Sequence, residues 1–150
     1  MSDKNSQVVD SIAGCCIGAR VRLVNRVVTG MYDDAFRPFG VKASQFNILI
    51  VTGKLGLARP ADVCTILRLD TSTLSRNVER MRVQGWLEVV STDDARMQPF
   101  RLTTQGKRLL EQAIPAWKKA QREAEKLLGD DGLALLGKLT RKLGLPMKDW

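Results

Sequence analysis

From residue 71 to residue 82 the chain reads Thr71-Ser72-Thr73-Leu74-Ser75-Arg76-Asn77-Val78-Glu79-Arg80-Met81-Arg82, and this stretch decides its fold. Leu74, Val78 and Met81 recur at steps of four and three residues, which predicts a helix with one apolar face. The other face carries hydroxyls, an amide and arginines, which can bond base edges and phosphates. A short helix predicted over residues 61–67 precedes it across a tight turn. The two helices together indicate a helix-turn-helix.

The segment that follows predicts a two-stranded wing. Gly85 ends the helix, and residues 86–90 and 99–102 are rich in strand-forming side chains. A polar, turn-like segment over 91–97 separates the two strands. The sequence therefore predicts a mainly α fold with a small β-hairpin, in which a winged helix-turn-helix lobe occupies about residues 43–103.

Long helices flank this lobe on both sides. Residues 8–36 carry an apolar stripe at three- and four-residue steps, which predicts one continuous helix. A second long helix is predicted from residue 104 to about residue 128. A break over residues 129–132 then precedes a leucine-rich helix over residues 133–143. We expect these helices and the lobe to form one domain, since the chain has 150 residues.

The charge balance narrows the class of partner. The chain has 24 Lys and Arg against 16 Asp and Glu, a formal net charge of +8 at pH 7. Such a field favours polyanions, with nucleic acid first and an anionic membrane or the ribosome second. Any basic domain would share this balance, but many of the arginines fall in the 59–108 stretch, around the hydroxyl-rich helix. Charge and position together predict double-stranded DNA as the partner.

The composition argues against an enzyme, a metal site and a membrane protein. There is no histidine, and Cys15, Cys16 and Cys64 do not have the spacing of zinc ligands. There is no glycine-rich phosphate loop, and the paired carboxylates fall at predicted helix ends or in loops. We expect no catalytic residue, no metal site and no cofactor. Without a long apolar run or a secretory signal, the sequence predicts a cytoplasmic protein that does not contact a membrane.

Five short motifs follow one another in a specific order. They are Phe39-Gly40-Val41, Gln45-Phe46-x-x-Leu49, Ser72-Thr73-Leu74-Ser75-Arg76, Gly85-Trp86-Leu87, and Asp94-Ala95-Arg96 followed after five residues by Leu102-Thr103. In this order and spacing they resemble the MarR family of winged helix-turn-helix transcriptional regulators. The resemblance covers about residues 36–110, and the wing spacing is its sharpest part.

The resemblance implies which side chains contact DNA. The helix over 71–82 would enter the major groove, while Arg96 at the wing tip would enter the minor groove with its guanidinium held by Asp94. Lys42 stands where relatives commonly have a capping hydroxyl, and it offers a phosphate contact instead. Helix capping by the serines and threonines, and simple solvation of the arginines, stay open as alternatives. The candidate DNA-binding residues are Lys42, Thr71, Ser72, Thr73, Ser75, Arg76, Arg80, Asp94 and Arg96.

The resemblance also implies a homodimer built from the helices at about 8–36 and 104–145. The residues agree with this, because these helices carry more leucine, valine and alanine than a lone domain needs. For the helix over 133–143 the alternative is packing within its own chain. Two recognition helices would then bind a near-palindromic operator. The implied function is transcriptional repression, relieved by a small aromatic or anionic effector.

Two alternative functions stay open on the sequence. Cys15 and Cys16 are candidate redox residues of an oxidant-sensing regulator, although cysteines on an apolar stripe are more often inert core residues. A winged helix can also serve as a non-specific nucleic-acid-binding module, which would bind random duplex with a steep salt dependence.

Overall fold

The predicted helix-turn-helix and wing are both present in the computed structural model, which describes residues 3–93 and 98–144. Helices and a two-stranded antiparallel hairpin make up the described part, which confirms the predicted fold class. The predicted wing-tip residues Asp94 and Arg96 lie outside the described residues. In chain order the elements are α1 (Asp3–Cys15), α2 (Ile17–Phe36), a 3₁₀ turn (Arg37–Phe39), α3 (Ala43–Leu55), α4 (Pro60–Leu67), α5 (Thr71–Val83), β1 (Leu87–Val89), β2 (Phe100–Leu102) and α6 (Thr104–Lys142).

The prediction of one continuous helix over residues 8–36 was wrong. The chain leaves helical geometry at Cys16, whose φ of −62° and ψ of 108° are extended, and this residue separates α1 from α2. Gly14 and Gly18 flank the break, and glycine lowers helix stability by about 1 kcal/mol relative to alanine. The Arg20 guanidinium donates to the Gly14 carbonyl and so satisfies one of the acceptors that the end of α1 leaves free.

A hydrophobic core joins the helix-turn-helix to the end of α2 and the start of α6. Phe36 of α2 stacks on Phe46 of α3 with ring centroids 4.3 Å apart. From α5, Leu74 and Met81 are buried and Val78 is half-buried, which confirms the predicted apolar face of that helix. The opposite face of α5 is therefore left for solvent or a ligand. The buried core comprises Phe36, Val41, Phe46, Ile48, Leu49, Val51, Ala58, Val63, Leu74, Met81, Trp86, Leu87, Phe100, Leu109 and Ala113.

Two contacts hold the wing in place, one at β2 and one at the residue before β1. β1 pairs with β2, and Ala58 adds a bridge to Phe100 through two backbone hydrogen bonds of 2.8 and 2.9 Å. On the other side, Gly106 in the first turn of α6 lies against the backbone of Trp86. A Cβ atom built on Gly106 would lie 2.1 Å from the Trp86 carbonyl oxygen. This close approach fixes the base of the wing relative to α6.

Helix α6 runs from the wing along α2. The Tyr32 hydroxyl of α2 donates to Gln121 Oε1 at 2.5 Å, and burial, helped by the nearby Glu125 carboxylate, raises the pKa of Tyr32. The predicted break in this region is confirmed at Gly129, whose φ of 64° and ψ of 175° are not helical. The helix resumes directly after Gly129, earlier than the predicted start at residue 133. Within the described ranges, no helix is long and apolar enough to cross a membrane.

Candidate nucleic-acid interface

The leading end of α5 is organised by one carboxylate. Asp70 is the N-cap of the helix, and its Oδ1 accepts from the Thr73 backbone N–H at 2.8 Å. The hydroxyls of Ser72 and Thr73 also donate to this carboxylate, each at 2.6 Å. These hydrogen bonds from Ser72 and Thr73 stabilise the ionised form and lower the pKa of Asp70 well below its usual range.

The outward face of α5 carries two exposed arginines. Arg76 and Arg80 are exposed, and neither forms a salt bridge within the described part of the chain. Arg82 differs, because its Nε and Nη2 donate to the Glu79 carboxylate at 2.8 Å each. This paired geometry lowers the pKa of Glu79 and raises that of Arg82. Arg76 and Arg80 therefore keep their guanidinium groups available for an external anion or a base edge. The sequence-predicted residues that α5 brings together are Thr71, Ser72, Thr73, Ser75, Arg76 and Arg80.

Lys42 is placed at the start of α3. Its side chain makes no capping bond, as predicted, and two other side chains supply the missing acceptors. Asp33 Oδ1 accepts from the Ala43 N–H at 2.7 Å, and Gln45 Oε1 accepts from the Lys42 N–H at 3.0 Å. Lys42 Nζ lies 3.7 Å from Asp33 Oδ2, so part of its charge is balanced within the protein. Its partners belong to α2 and α3, not to the outward face of α5.

The turn between α4 and α5 contains an arginine in an unusual conformation. Arg68 has a φ of 53°, in the left-handed region that non-glycine residues rarely adopt. Its guanidinium donates to the Leu143 carbonyl at 3.0 Å, which ties the helix-turn-helix to the end of α6. Sequence analysis missed this contact, because residues 75 positions apart give no local signal.

A cavity of about 680 Å³ lies between the helix-turn-helix and α6. Its walls come from α3, the end of α4 and the first half of α6, so no single stretch of sequence indicates it. The lining is mostly apolar, with a carboxylate and an amide as its polar groups. The lining residues are Phe46, Asn47, Ile50, Val51, Leu67, Leu110, Glu111, Ile114 and Trp117.

The candidate redox residues lie at the break between α1 and α2. Cys15 is exposed and its thiol donates to the Ser11 carbonyl at 3.0 Å, while Cys16 is half-buried. Among the described residues, no group of three or more cysteine or acidic side chains is placed to hold a metal ion.

The helices outside the lobe leave many large apolar side chains exposed. On α1 and α2 they lie on more than the one stripe that the sequence predicted, and on α6 they concentrate after the break at Gly129. An exposed apolar surface of this extent is typical of an interaction face. The exposed residues are Val8, Val9, Ile12, Ile17, Val21, Leu23, Val24 and Val27 on α1 and α2, and Leu127, Leu133, Leu135, Leu136 and Leu139 on α6.

Comparisons with known proteins agree with this architecture. A family model described as "MarR family" matches residues 39–97, from the turn before α3 into the wing. The multiple antibiotic resistance protein MarR of Escherichia coli K12 is 26% identical over 129 residues, which is 85% of this chain and 90% of that protein. A mutant of E. coli MarR, solved in complex with operator DNA, has a TM-score of 0.78 and 25% identity, and the match covers 88% of this chain and 96% of that chain.

Two further solved structures extend the comparison. BpsR of Bordetella bronchiseptica, described as regulated in its DNA binding by 6-hydroxynicotinic acid, has a TM-score of 0.76 over 85% of this chain and 98% of that chain; at 21% identity this likeness shows the fold alone. The Mycobacterium tuberculosis transcriptional regulator MOSR, solved in complex with DNA, has a TM-score of 0.71 and 30% identity over 85% of this chain and 98% of that chain. With sequence, fold and family model in agreement, the chain belongs to the MarR family of winged helix-turn-helix transcriptional regulators.

Proposed function

We propose that this chain is a sequence-specific DNA-binding transcriptional regulator that acts as a homodimeric repressor and is released by a small molecule. The observation that supports this most directly is the outward face of α5, where Arg76 and Arg80 are exposed and form no ion pair with another described residue. Short hydroxyl side chains at the leading end of the same helix allow the backbone to approach base edges closely. The description of two similar structures as complexes with DNA supports the proposal.

The wing completes the proposed DNA-binding surface. In the sequence, Asp94 and Arg96 fall between β1 and β2. By resemblance to the family, we propose that Arg96 enters the minor groove and that Asp94 holds its guanidinium through a charge-assisted pair. Lys42 is proposed only as a phosphate contact, weakened by its proximity to Asp33.

We propose that the exposed apolar faces of α1, α2 and α6 pack against a second copy of the chain. A two-fold symmetric dimer would bury the same surface on both partners. It would also place two α5 helices for the two halves of a near-palindromic operator. We therefore propose that residues of about 8–36 and 104–145 form the dimer, and that the lobe of about 43–103 binds DNA.

The cavity between the helix-turn-helix and α6 is the proposed effector site. Its volume of about 680 Å³ suits a small aromatic molecule, and Trp117 and Phe46 offer rings for stacking. Glu111 is the charged group among the described lining residues, and no cation accompanies it. A neutral or cationic aromatic effector therefore fits this cavity better than an anionic one.

An isosteric series of probes tests this assignment. We expect 1-naphthylmethylamine to bind about fivefold more tightly than 1-naphthoate, since an ion pair with Glu111 contributes on the order of 1 kcal/mol, with 1-naphthol between them. Release of a labelled operator and quenching of tryptophan fluorescence measure the binding. Glu111→Gln should remove the preference for the amine, and Ile114→Trp should weaken all three probes by filling the cavity. Tightest binding by 1-naphthoate would contradict the assignment.

The DNA-binding proposal is tested by one arginine and its matched control. From a random duplex pool we expect the protein to select a near-palindromic sequence. Arg76→Ala should then lower the affinity for that sequence by about 10- to 100-fold, because one contact to a base contributes about 1–3 kcal/mol. Arg122→Ala removes the same charge from the exposed side of α6 and should leave the affinity within about twofold. Fluorescence anisotropy at a fixed salt concentration measures both.

The pattern of the loss separates the alternatives. A loss confined to one base position assigns Arg76 to a base, and an equal loss on all sequences assigns it to a phosphate. Equal affinity for the selected and random duplexes would make the protein a non-specific nucleic-acid-binding module.

A further inference from the structure

One carboxylate accepts hydrogen bonds from two hydroxyl groups at the leading end of α5. Asp70 Oδ1 accepts from Ser72 Oγ, and Asp70 Oδ2 accepts from Thr73 Oγ1, with both oxygen–oxygen distances 2.6 Å. An ionised carboxylate can only accept hydrogen bonds, so each hydroxyl must be the donor. The low pKa of Asp70 keeps the carboxylate ionised at neutral pH.

The direction of these bonds limits what the hydroxyls can offer to DNA. A hydroxyl has one proton and two lone pairs. With its proton directed at Asp70, the exposed Ser72 presents only lone pairs to the outside, and the half-buried Thr73 is restricted in the same way. Phosphate oxygens are acceptors too, so Ser72 in this geometry cannot bond a phosphate.

Asp70 also weakens the phosphate site that a helix N-terminus commonly provides. The free N–H groups of a first helical turn attract phosphate. Here the Thr73 N–H is already bonded to Asp70, and the carboxylate places a negative charge at this end of α5. The leading end is therefore unsuited to phosphate and suited to the donor groups of a base edge. In the major groove these donors are the N6 amino group of adenine and the N4 amino group of cytosine.

We propose that Asp70 is a specificity-determining residue: by fixing Ser72 as an acceptor, it makes α5 select adenine or cytosine at the operator position that Ser72 faces. The inference rests on the proposed function, in which α5 is the recognition helix. Ser75 provides an internal contrast. Ser75 is exposed, and its side chain makes no hydrogen bond within the described part of the chain. Its hydroxyl can therefore rotate and donate to a phosphate.

Selection from a random duplex pool with four proteins tests the inference. The proteins are the wild type and the variants Ser72→Ala, Asp70→Gly and Ser75→Ala. We expect Ser72→Ala to lose base preference at one position of each half-site, and the wild type to select adenine or cytosine there. Asp70→Gly removes both carboxylate oxygens at a small cost in helix capping, so the Ser72 hydroxyl can rotate and also donate, and the base preference at this position should weaken. Ser75→Ala should keep the wild-type preference.

Removing the amino group from the base is the direct test. Purine in place of adenine, or 2-pyrimidinone in place of cytosine, should lower wild-type affinity three- to tenfold, the effect of about one hydrogen bond. The same replacement should change the affinity of Ser72→Ala by less than about twofold. Thermal unfolding of each variant checks that the fold is retained.

Some results would contradict the proposed function, and others would contradict this inference alone. A wild-type protein that selects no sequence overturns the proposed function and this inference together. A protein that selects an operator, loses it with Arg76→Ala, but tolerates removal of the amino group overturns this inference alone. A loss of affinity by Ser72→Ala that is uniform over all sequences has the same effect.

Discussion

Gly106→Ala is expected to destabilise the protein by about 3 kcal/mol or more, which lowers the melting temperature by roughly 6–12 °C. The new Cβ atom would lie 2.1 Å from the Trp86 carbonyl oxygen and 3.0 Å from its carbonyl carbon. Both are backbone atoms, so no side-chain rotation can relieve the overlap. The Trp86 carbonyl also accepts from the Thr103 N–H at 3.1 Å, and moving it breaks a bond that closes the base of the wing. Thermal unfolding at a fixed protein concentration measures the effect.

The control for this variant is Gly30→Ala. Gly30 lies in α2, and a Cβ atom built on it meets no other atom within 4 Å. Because alanine favours a helix by about 1 kcal/mol over glycine, we expect an unchanged or higher melting temperature. Gly106→Ala should also weaken operator binding, since displacement of the wing from α6 moves its tip relative to α5. Equal melting temperatures for the two variants would contradict the close approach of α6 to the wing.

The parts of the fold that the sequence predicted correctly are those specified by local patterns. The apolar face of α5 follows from three residues within eight positions, and Gly129 breaks α6 where glycine is suited to a φ of 64°. The break at Cys16 was missed because an apolar stripe continues through it. There, the low helix propensity of Gly14 and Gly18 outweighs the periodic pattern.

The candidate site also has a part that local sequence patterns predict and a part that they do not. The residues on the outward face of α5 could be predicted, because helical periodicity alone separates them from Leu74 and Met81. Whether the serines and threonines cap the helix or contact DNA was left open, since both roles use the same side chains. The cavity under α6 could not be predicted, because its walls meet only when α3 and α6 pack together. Arg96 stays a prediction of the family resemblance.

Leu139→Glu is expected to convert a dimer into a monomer. Leu139 is 44% exposed in the single chain, on the leucine-rich part of α6 that follows Gly129. In a two-fold symmetric interface each substitution occurs twice, and an unpaired buried charge costs about 3 kcal/mol per copy. The dimerisation constant should therefore fall by about 10⁴-fold. Light scattering after size-exclusion chromatography at micromolar concentration should give 16.7 kDa for the variant and twice this mass for the wild type.

The same variant should lose most of its operator affinity although α5 is untouched. In a dimer, binding of the first lobe holds the second at a high effective concentration near its half-site, and a monomer loses this advantage of about 10²- to 10⁴-fold. Leu23→Glu on α2, where Leu23 is 63% exposed, should have the same effect on mass and affinity. Leu57→Glu introduces the same charge at a 52% exposed leucine between α3 and α4, and it should stay dimeric. If the wild type is monomeric, or if both Leu23→Glu and Leu139→Glu keep the dimer mass with their helical circular dichroism intact, these apolar faces do not form the dimer interface.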